Sequence, residues 1–290
     1  MRIVVTGAGG QVGSCLCAQG LARGHKVHGM CHHELDIIDA KAVESVIALI
    51  GPDVVINAAA YTAVDRAEEE RDAAFAVNRD GAAHLAKACQ EAAIPLVHLS
   101  TDYVFDGSKS GAYTEDDPIA PLGVYGESKA AGEAAVRNTC DTHIIMRTAW
   151  VFSATGQNFV KTMVKLAGQR DTLRVVVDQK GCPSYAGDIA TATLDMLPYL
   201  GGGTSWGTYH YCGAPEVSWH GFAEAIMEEA RAFMPIKVQR VEAIATKDYP
   251  TPAKRPANSV LDCSRIEAAF GIRPANWRAA LPAVIKELVH

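Results

Sequence analysis

Ile3-Val4-Val5-Thr6-Gly7-Ala8-Gly9-Gly10-Gln11-Val12-Gly13 runs a short β-branched segment into a glycine-rich turn and then into helix-forming sequence through Arg23. Strand, glycine turn and helix in that order predict the first βα unit of an open parallel sheet that binds a dinucleotide. Gly7 can take the tight turn, Gly10 lets the backbone come up to a pyrophosphate, and Gly13 lets helix and strand pack closely. The first N–H groups of the helix then point at the phosphates. Gly7, Gly10, Gln11, Val12 and Gly13 are therefore candidate cofactor-binding residues. The spacing is G-x-x-G-x-x-G, not the more familiar G-x-G-x-x-G.

Working outward, strand-like segments at Lys26–Met30, Asp53–Asn57, Pro95–Leu99 and Thr142–Met146 alternate with helical ones, including a long helix expected over Asp72–Ala93. That rhythm predicts right-handed βαβ units and a parallel sheet. After Trp150 glycines and prolines thicken, as in Gly201-Gly202-Gly203 and Pro250-Thr251-Pro252. The expected fold is α/β: a Rossmann-type doubly wound parallel sheet over residues 1–149 and a smaller, interleaved C-terminal substrate lobe over 150–290. A returning segment is expected near 185–213, with a helix near Asp188–Tyr199 and a strand near Tyr209–Tyr211.

Composition narrows the function classes. At 290 residues and 49% hydrophobic, the chain can bury a large core. A net charge of -6 argues against a broad nucleic-acid surface, though not against anionic small ligands in a locally basic pocket. The eight cysteines form no C-x-x-C and no zinc spacing, as expected of buried thiols in a reducing cytoplasm. Met1-Arg2 leads straight into the first strand, so no signal peptide is expected. No apolar run approaches the ~18 residues of a membrane span. The expected location is cytoplasmic, with no membrane or nucleic-acid partner, and a homodimer is the commonest assembly.

Two further groups carry chemistry. Ser100-Thr101-Asp102 ends a predicted strand, where ligands of such sheets bind. Tyr125 and Lys129 lie four residues apart, on one face of a helix. A phenol ordinarily ionises near pH ~10, and an ammonium beside it pulls that value toward neutrality. The expectation is that Tyr125 protonates a ketone oxygen as hydride reaches the carbon. Thr101 steadies the developing charge, and Lys129 both holds the nicotinamide ribose and depresses the Tyr125 pKa.

Cofactor choice stays open. An acid at the end of the second strand would suit NADH and an arginine NADPH, but Cys31-His32-His33 stands there. Asp36 and Ile37, a little later, are kept as cofactor-site candidates. NADPH is placed ahead of NADH because biosynthetic reductions tend to use it.

With these residues in hand the chain resembles the extended short-chain dehydrogenase/reductases, and within them the dTDP-4-dehydrorhamnose reductase family. The resemblance runs through Asn57-Ala58-Ala59-Ala60-Tyr61-Thr62-Ala63-Val64-Asp65, Ala76-Val77-Asn78, Ser100 to Gly107, Pro121 to Lys129, Arg147 to Phe152, Asn158-Phe159-Val160, Asp178 to Pro183 and Arg255-Pro256. It implies NAD(P)H-dependent reduction of the C4 ketone of dTDP-4-dehydro-L-rhamnose. Ala58, Ala59 and Tyr61 would line the cofactor channel, with Asn78 supporting the catalytic helix. Thr101, Asp102 and Tyr103 would face the sugar, Trp150 would pack on the sugar or the thymine, and Arg255 would meet the diphosphate. Some relatives are described with magnesium at a dimer contact, but no carboxylate cluster here can be assigned to it. The chain departs from the family pattern at Gly123, usually asparagine, and at Ser184, frequently threonine. Two other readings compete. One is a nucleotide-sugar epimerase or dehydratase, although dehydratases follow Thr-Asp with glutamate where Tyr103 stands here. The other is a non-catalytic cofactor-binding subunit like the regulatory subunit of methionine adenosyltransferase.

Overall fold

Strand β1 (Arg2–Thr6) is buried at every position after Arg2. Its apolar run lacks alternation because a central parallel strand is covered on both faces. The computed structural model describes residues 1–201 and 206–289; Gly202 and Gly203, within the expected returning segment, lie outside them. After β1 come α1 (Gln11–Ala22), β2 (Lys26–Met30), α2 (Ala40–Ile50), β3 (Val54–Asn57) and the short helices α3 (Val64–Ala67) and α4 (Arg71–Phe75). They are followed by α5 (Ala82–Glu91), β4 (Leu96–Thr101), α6 (Val124–Thr139) and β5 (His143–Thr148). The strands form a six-stranded sheet whose last member is β10, given below, in the order β10-β5-β4-β3-β1-β2. Each neighbouring pair is parallel. Chain order reverses between β1 and β3, and the crevice beyond their carboxyl ends is where a doubly wound sheet binds its ligand.

The glycine turn sits at that reversal. Gly7 has φ +67°, and a Cβ there would lie 2.6 Å from the Ala58 backbone that follows β3. A Cβ on Gly13 would overlap the Gly7 carbonyl. Both positions are closed to any larger side chain, so the two strand ends and the start of α1 meet backbone to backbone.

The chain continues through β6 (Val151–Phe152), α7 (Phe159–Ala167), β7 (Thr172–Val176), β8 (Lys180–Gly181), β9 (Ser184–Tyr185) and α8 (Ala186–Met196). It ends with β10 (Gly207–His210), β11 (Val217–Ser218), α9 (Trp219–Ala230), β12 (Arg240–Ile244), α10 (Ser264–Phe270) and α11 (Leu281–Val289). Helix α8 packs on α1, where Gln19 and Arg23 bond Gly187 and Asp195, and β10 adds the outer strand beside β5. One apolar cluster covers each face of the sheet. A third, built on Phe152, Phe222, Ile226 and Trp277, joins α7, α9 and α11. No helix among the described residues is long and apolar enough to cross a membrane.

The long helix expected over 72–93 runs from Arg71 to Glu91, but its middle is not α-helical. Residues Ala76–Gly81 between α4 and α5 are π-helical. The wider turn carries the buried side chain of Asn78, which accepts from Tyr61 N at 2.9 Å and donates to Ser128 Oγ on α6 at 2.9 Å. Such turns are frequent at functional sites. Helix α5 ends in a left-handed residue, with Ile94 N bonding Cys89 O at 2.9 Å. The residue there is Ala93, at φ +53°, where glycine is the usual choice.

The left-handed alanine costs about 1–2 kcal/mol, of which the freer unfolded chain of a glycine variant returns part. Ala93→Gly should therefore stabilise the protein by about 0.5–1 kcal/mol, read as a higher denaturant midpoint at unchanged slope.

Candidate active site

Three elements converge beyond the carboxyl ends of β3 and β4. Thr101 closes β4, Ala58 follows β3, and α6 lays Tyr125 and Lys129 across them, one turn apart. Ser128, between these two, donates to Tyr125 O at 2.8 Å and accepts from Asn78. The π-helical turn thus grips the first turn of α6.

Gly123 begins α6 and offers no capping side chain. Glu68, just past α3, supplies the cap instead: its Oε1 accepts from Val124 N at 2.9 Å, and a Cβ on Gly123 would overlap that oxygen. The missing cap at Gly123 is thus made good by a carboxylate from another element, placed at the end of the helix that favours negative charge.

Below the site a buried charge cluster ties α6 to the sheet. Glu133, one turn after Lys129, is fully buried. Arg147 of β5 grips it with two donors, at 2.8 and 2.7 Å. Ser100 of β4 donates to it at 2.6 Å, and Arg137 adds contacts at 3.2 Å. Burial pushes the Glu133 carboxyl up, but Arg147 and its companions outweigh it and hold it below the usual range. Neither Glu133 nor Arg147 carries chemistry in any of the motifs described above; the one signal in the chain is a carboxylate on the same helical stripe as Tyr125 and Lys129.

The phenol behaves differently from the expectation. In the free protein Lys129 does not pull the Tyr125 pKa down. Burial pushes it up to about 12, against the lowering influence of the Thr101 hydroxyl and with Asp102 adding to the rise. The reason lies in where the ammonium goes: Lys129 Nζ donates to Leu99 O at 2.7 Å and lies 3.4 Å from His98 Nε2. Burial brings Lys129 itself down to about 8, although Glu133 opposes this. Tyr125 is therefore a protonated phenol, the form a proton donor needs. Thr101 Oγ1 donates to Asp102 Oδ1 at 3.1 Å. Burial raises Asp102 to about 6 against the hydroxyls of Ser259 and Thr101. Tyr103 meets Tyr125 edge to face, with ring centroids 5.4 Å apart.

At the other end of the crevice, Gly10 precedes α1 without a side-chain cap, and the first turn of α1 holds no acid. These open N–H groups and the glycine cradle fit a pyrophosphate. Gln11 turns away, its Oε1 accepting from Ser153 at 3.0 Å and Asn158 at 2.9 Å, and Val12 is buried in the core. Ala58 and Ala59 stand at the lip of the crevice and are half-buried. Tyr61 is turned outward, its hydroxyl donating to Glu70 at 2.6 Å. Asp36 accepts from Ile38 N at 3.1 Å and lies 3.6 Å from His32 Nε2, while the Ile37 side chain is core.

The substrate-side candidates are already engaged. Trp150, at φ +47°, stacks on Trp219 with centroids 3.5 Å apart, and Gly181 lies against its ring. Arg255 pairs with both oxygens of Asp65, at 3.1 and 2.8 Å. Ser184 accepts from Gly213 N at 3.0 Å and donates to Cys182 O at 3.0 Å. Among the described residues no group of His, Cys, Asp and Glu is arranged to hold a metal. An open groove of about 630 Å³ beside α1 and α8, lined by Arg23, Asp188, Tyr199 and Arg273 among others, contains none of the site residues.

A dinucleotide cradle at the reversal of a parallel sheet, with a protonated tyrosine and a lysine one turn apart beside it, defines a nicotinamide-dependent oxidoreductase of Rossmann fold. Residues 1–290 match the family described as RmlD substrate binding domain, and the chain belongs to that family. A dTDP-4-dehydrorhamnose reductase of Aggregatibacter actinomycetemcomitans is 48% identical over 284 residues, 97% of each chain. A crystal structure of a dTDP-4-dehydrorhamnose reductase from Clostridium acetobutylicum superposes with a TM-score of 0.92 at 36% identity, covering 99% of both chains. One from Bacillus anthracis, in complex with NADP, gives 0.92 at 34% identity and the same coverage.

Two predictions test this site. Losing the Glu68 cap with Glu68→Ala should cost about 1 kcal/mol. Adding Gly123→Asn to that variant should restore the melting temperature, whereas Gly123→Asn alone should not raise it. For Asp102 the folded pKa lies above the unfolded one. Its burial therefore costs stability that grows as pH rises from ~4 to about 6 and stays in full above that. Asp102→Asn should be more stable than the parent by roughly 2–3 kcal/mol at pH ~8 and equal to it near pH ~3.5, measured by denaturant unfolding at the two values.

Proposed function

We propose that Tyr125, Thr101 and Lys129 carry out the reduction of the C4 ketone of dTDP-4-dehydro-L-rhamnose to dTDP-L-rhamnose. That reaction is the one named for relatives 48%, 43% and 42% identical along nearly the whole chain. NADPH or NADH, when bound along the glycine turn, supplies the hydride. Tyr125, held protonated by its buried setting, gives its proton to the sugar oxygen. Thr101 turns its hydroxyl proton from Asp102 to the same oxygen as charge develops on it. Lys129 turns from Leu99 O toward the ribose hydroxyls, and a cation there stabilises the phenolate that Tyr125 becomes.

On the substrate side, Asp102 and Tyr103 border the sugar. Arg255 exchanges the Asp65 carboxylate for a diphosphate, whose oxygens suit the same guanidinium fork. Trp150 serves by holding the rim with Trp219; with Trp219 stacked on one face it offers at most the other to a ring. Gly7, Gly10, Val12 and Gly13 hold the pyrophosphate, with Gln11, Asp36, Ile37, Ala58, Ala59 and Tyr61 around the rest of the dinucleotide. Tyr103, where dehydratases carry glutamate, supplies a ring edge to Tyr125 and no carboxylate for elimination. We place the enzyme in the cytoplasm as a homodimer.

The observation that carries this reading is the buried, protonated Tyr125, one turn before a buried lysine on α6, over the end of the strand that Thr101 closes at the mouth of the dinucleotide crevice. With purified protein, NADPH and dTDP-4-dehydro-L-rhamnose, the absorbance of the reduced nicotinamide should fall. Tyr125→Phe should lose roughly 10²–10⁴-fold in turnover while its NADPH dissociation constant stays within about threefold. Turnover at the parental rate in that variant would exclude Tyr125 as the acid.

A further inference from the structure

A buried polar chain runs from the glycine turn to the catalytic lysine. Thr6 Oγ1 donates to Asn57 Oδ1 at 2.7 Å, and Ala59 N donates to the same oxygen at 3.1 Å. Asn57 Nδ2 then meets His98 Nδ1 at 2.9 Å, and His98 Nε2 lies 3.4 Å from Lys129 Nζ. Asn57 and His98 are each 1% exposed, so no solvent rearranges the set.

The donor and acceptor roles follow from one fixed point. The Ala59 N–H is a backbone donor and has no alternative role. The Asn57 atom facing it is therefore the oxygen, which leaves the amide nitrogen facing His98. An amide nitrogen only donates, so His98 Nδ1 must accept. Neutral imidazole carries one proton, and here it sits on Nε2, aimed at Lys129. Protonating both nitrogens would set two donors against each other. Burial, with the Lys129 charge second, also holds His98 well below the ordinary imidazole range.

We propose that Asn57 and His98 act as positioning residues for Lys129: by fixing a donor opposite its Nζ, they loosen its hold on its proton, so that the cation that steadies the phenolate can also return a proton to it. This rests on the reading above in which Lys129 serves Tyr125. Each time Lys129 passes a proton toward the phenolate, the amine left behind accepts from His98 Nε2–H, and it is reprotonated from solvent that enters the crevice between turnovers. The other charged groups around it do not supply this effect. Glu133, one turn on, favours the ammonium and is itself held by Arg147. Arg137 and His143 act on His98, and Asp102 acts on Tyr125.

The test is a titration of the full-length protein with ¹³Cε-labelled lysine, the Lys129 signal being identified by its loss in Lys129→Met. Nitrogen-15 imidazole spectra, assigned with His98→Gln, report the tautomer. The parent should show His98 protonated on Nε2; a proton on Nδ1 overturns the proposal. In Asn57→Asp a carboxylate accepts from Nδ1–H, turns the Nε2 lone pair to Lys129, and should raise its titration midpoint by about one pH unit or more, tenfold in the ionisation constant. Asn57→Asp combined with His98→Leu keeps the new charge without the imidazole and should lose that rise. A rise that survives in the double variant assigns the effect to charge alone and overturns the proposal. If Asn57→Asp does not fold, His98→Gln serves: its amide oxygen can face Nζ, so the midpoint should again rise, and an unchanged midpoint overturns the proposal. NADPH affinity of Lys129→Met, measured separately, bears on the role of the lysine itself: parental affinity would remove that role and leave the titration result standing.

Discussion

The Glu133–Arg147 pair is the constraint on which the site depends. A carboxylate and a guanidinium have both been taken out of water, and each would be severely unfavourable alone. Two parallel donor contacts at 2.8 and 2.7 Å, plus Ser100, satisfy the pair. The geometry that satisfies it also sets α6 at one height above β4 and β5. Lys129 and Tyr125 are one and two turns up the same helix from Glu133, so their position over the end of β4 is inherited from a contact that touches no ligand. The upper end of α6 is fixed separately, by Glu68 at its first N–H and by Asn78 through Ser128.

Held this rigidly, the site is arranged for its resting state. Tyr125 carries its proton, Lys129 is occupied with a backbone carbonyl, and Arg255 is neutralised by Asp65. Each cation already has a partner that a negatively charged or hydroxyl-rich ligand can replace. Exchange of one partner for another costs less than exposing a buried charge, so affinity comes from the difference between partners and not from the full strength of the new contact.

How much of this the chain discloses on reading depends on sequence distance. The β1–α1 glycine turn, the parallel alternation, Thr101 and the Tyr125–Lys129 spacing are local patterns, and each is legible. The partners that tune them are not. Asp65 and Arg255 are 190 residues apart, and Asn57 and His98 are 41 apart. No periodicity links either pair. The direction of the Tyr125 pKa is hidden for the same reason: a spacing of four residues says that the lysine is near, but only the position of Leu99 O and His98 says where its ammonium points. The π-helical turn at Ala76–Gly81 is not legible because Val77, Asn78, Asp80 and Gly81 weaken a helix there without saying whether it ends, loosens or widens. It arises from what Asn78 must reach, Tyr61 and Ser128, and not from any preference of its own. Trp150 is read in the sequence as packing on the sugar or the thymine, and only the fold shows that one face of its ring is already covered by Trp219.

The helix cap shared between Glu68 and Gly123 bears on how relatives drift apart. Because the oxygen of one residue fills the space of the other's missing side chain, the two sites hold a single function that either can supply. A lineage can pass it from one to the other, and an inventory taken one column at a time would score the glycine as a loss and the glutamate as an accident. Read jointly, they predict covariation: where asparagine returns at 123, the selection keeping an acid at 68 should relax.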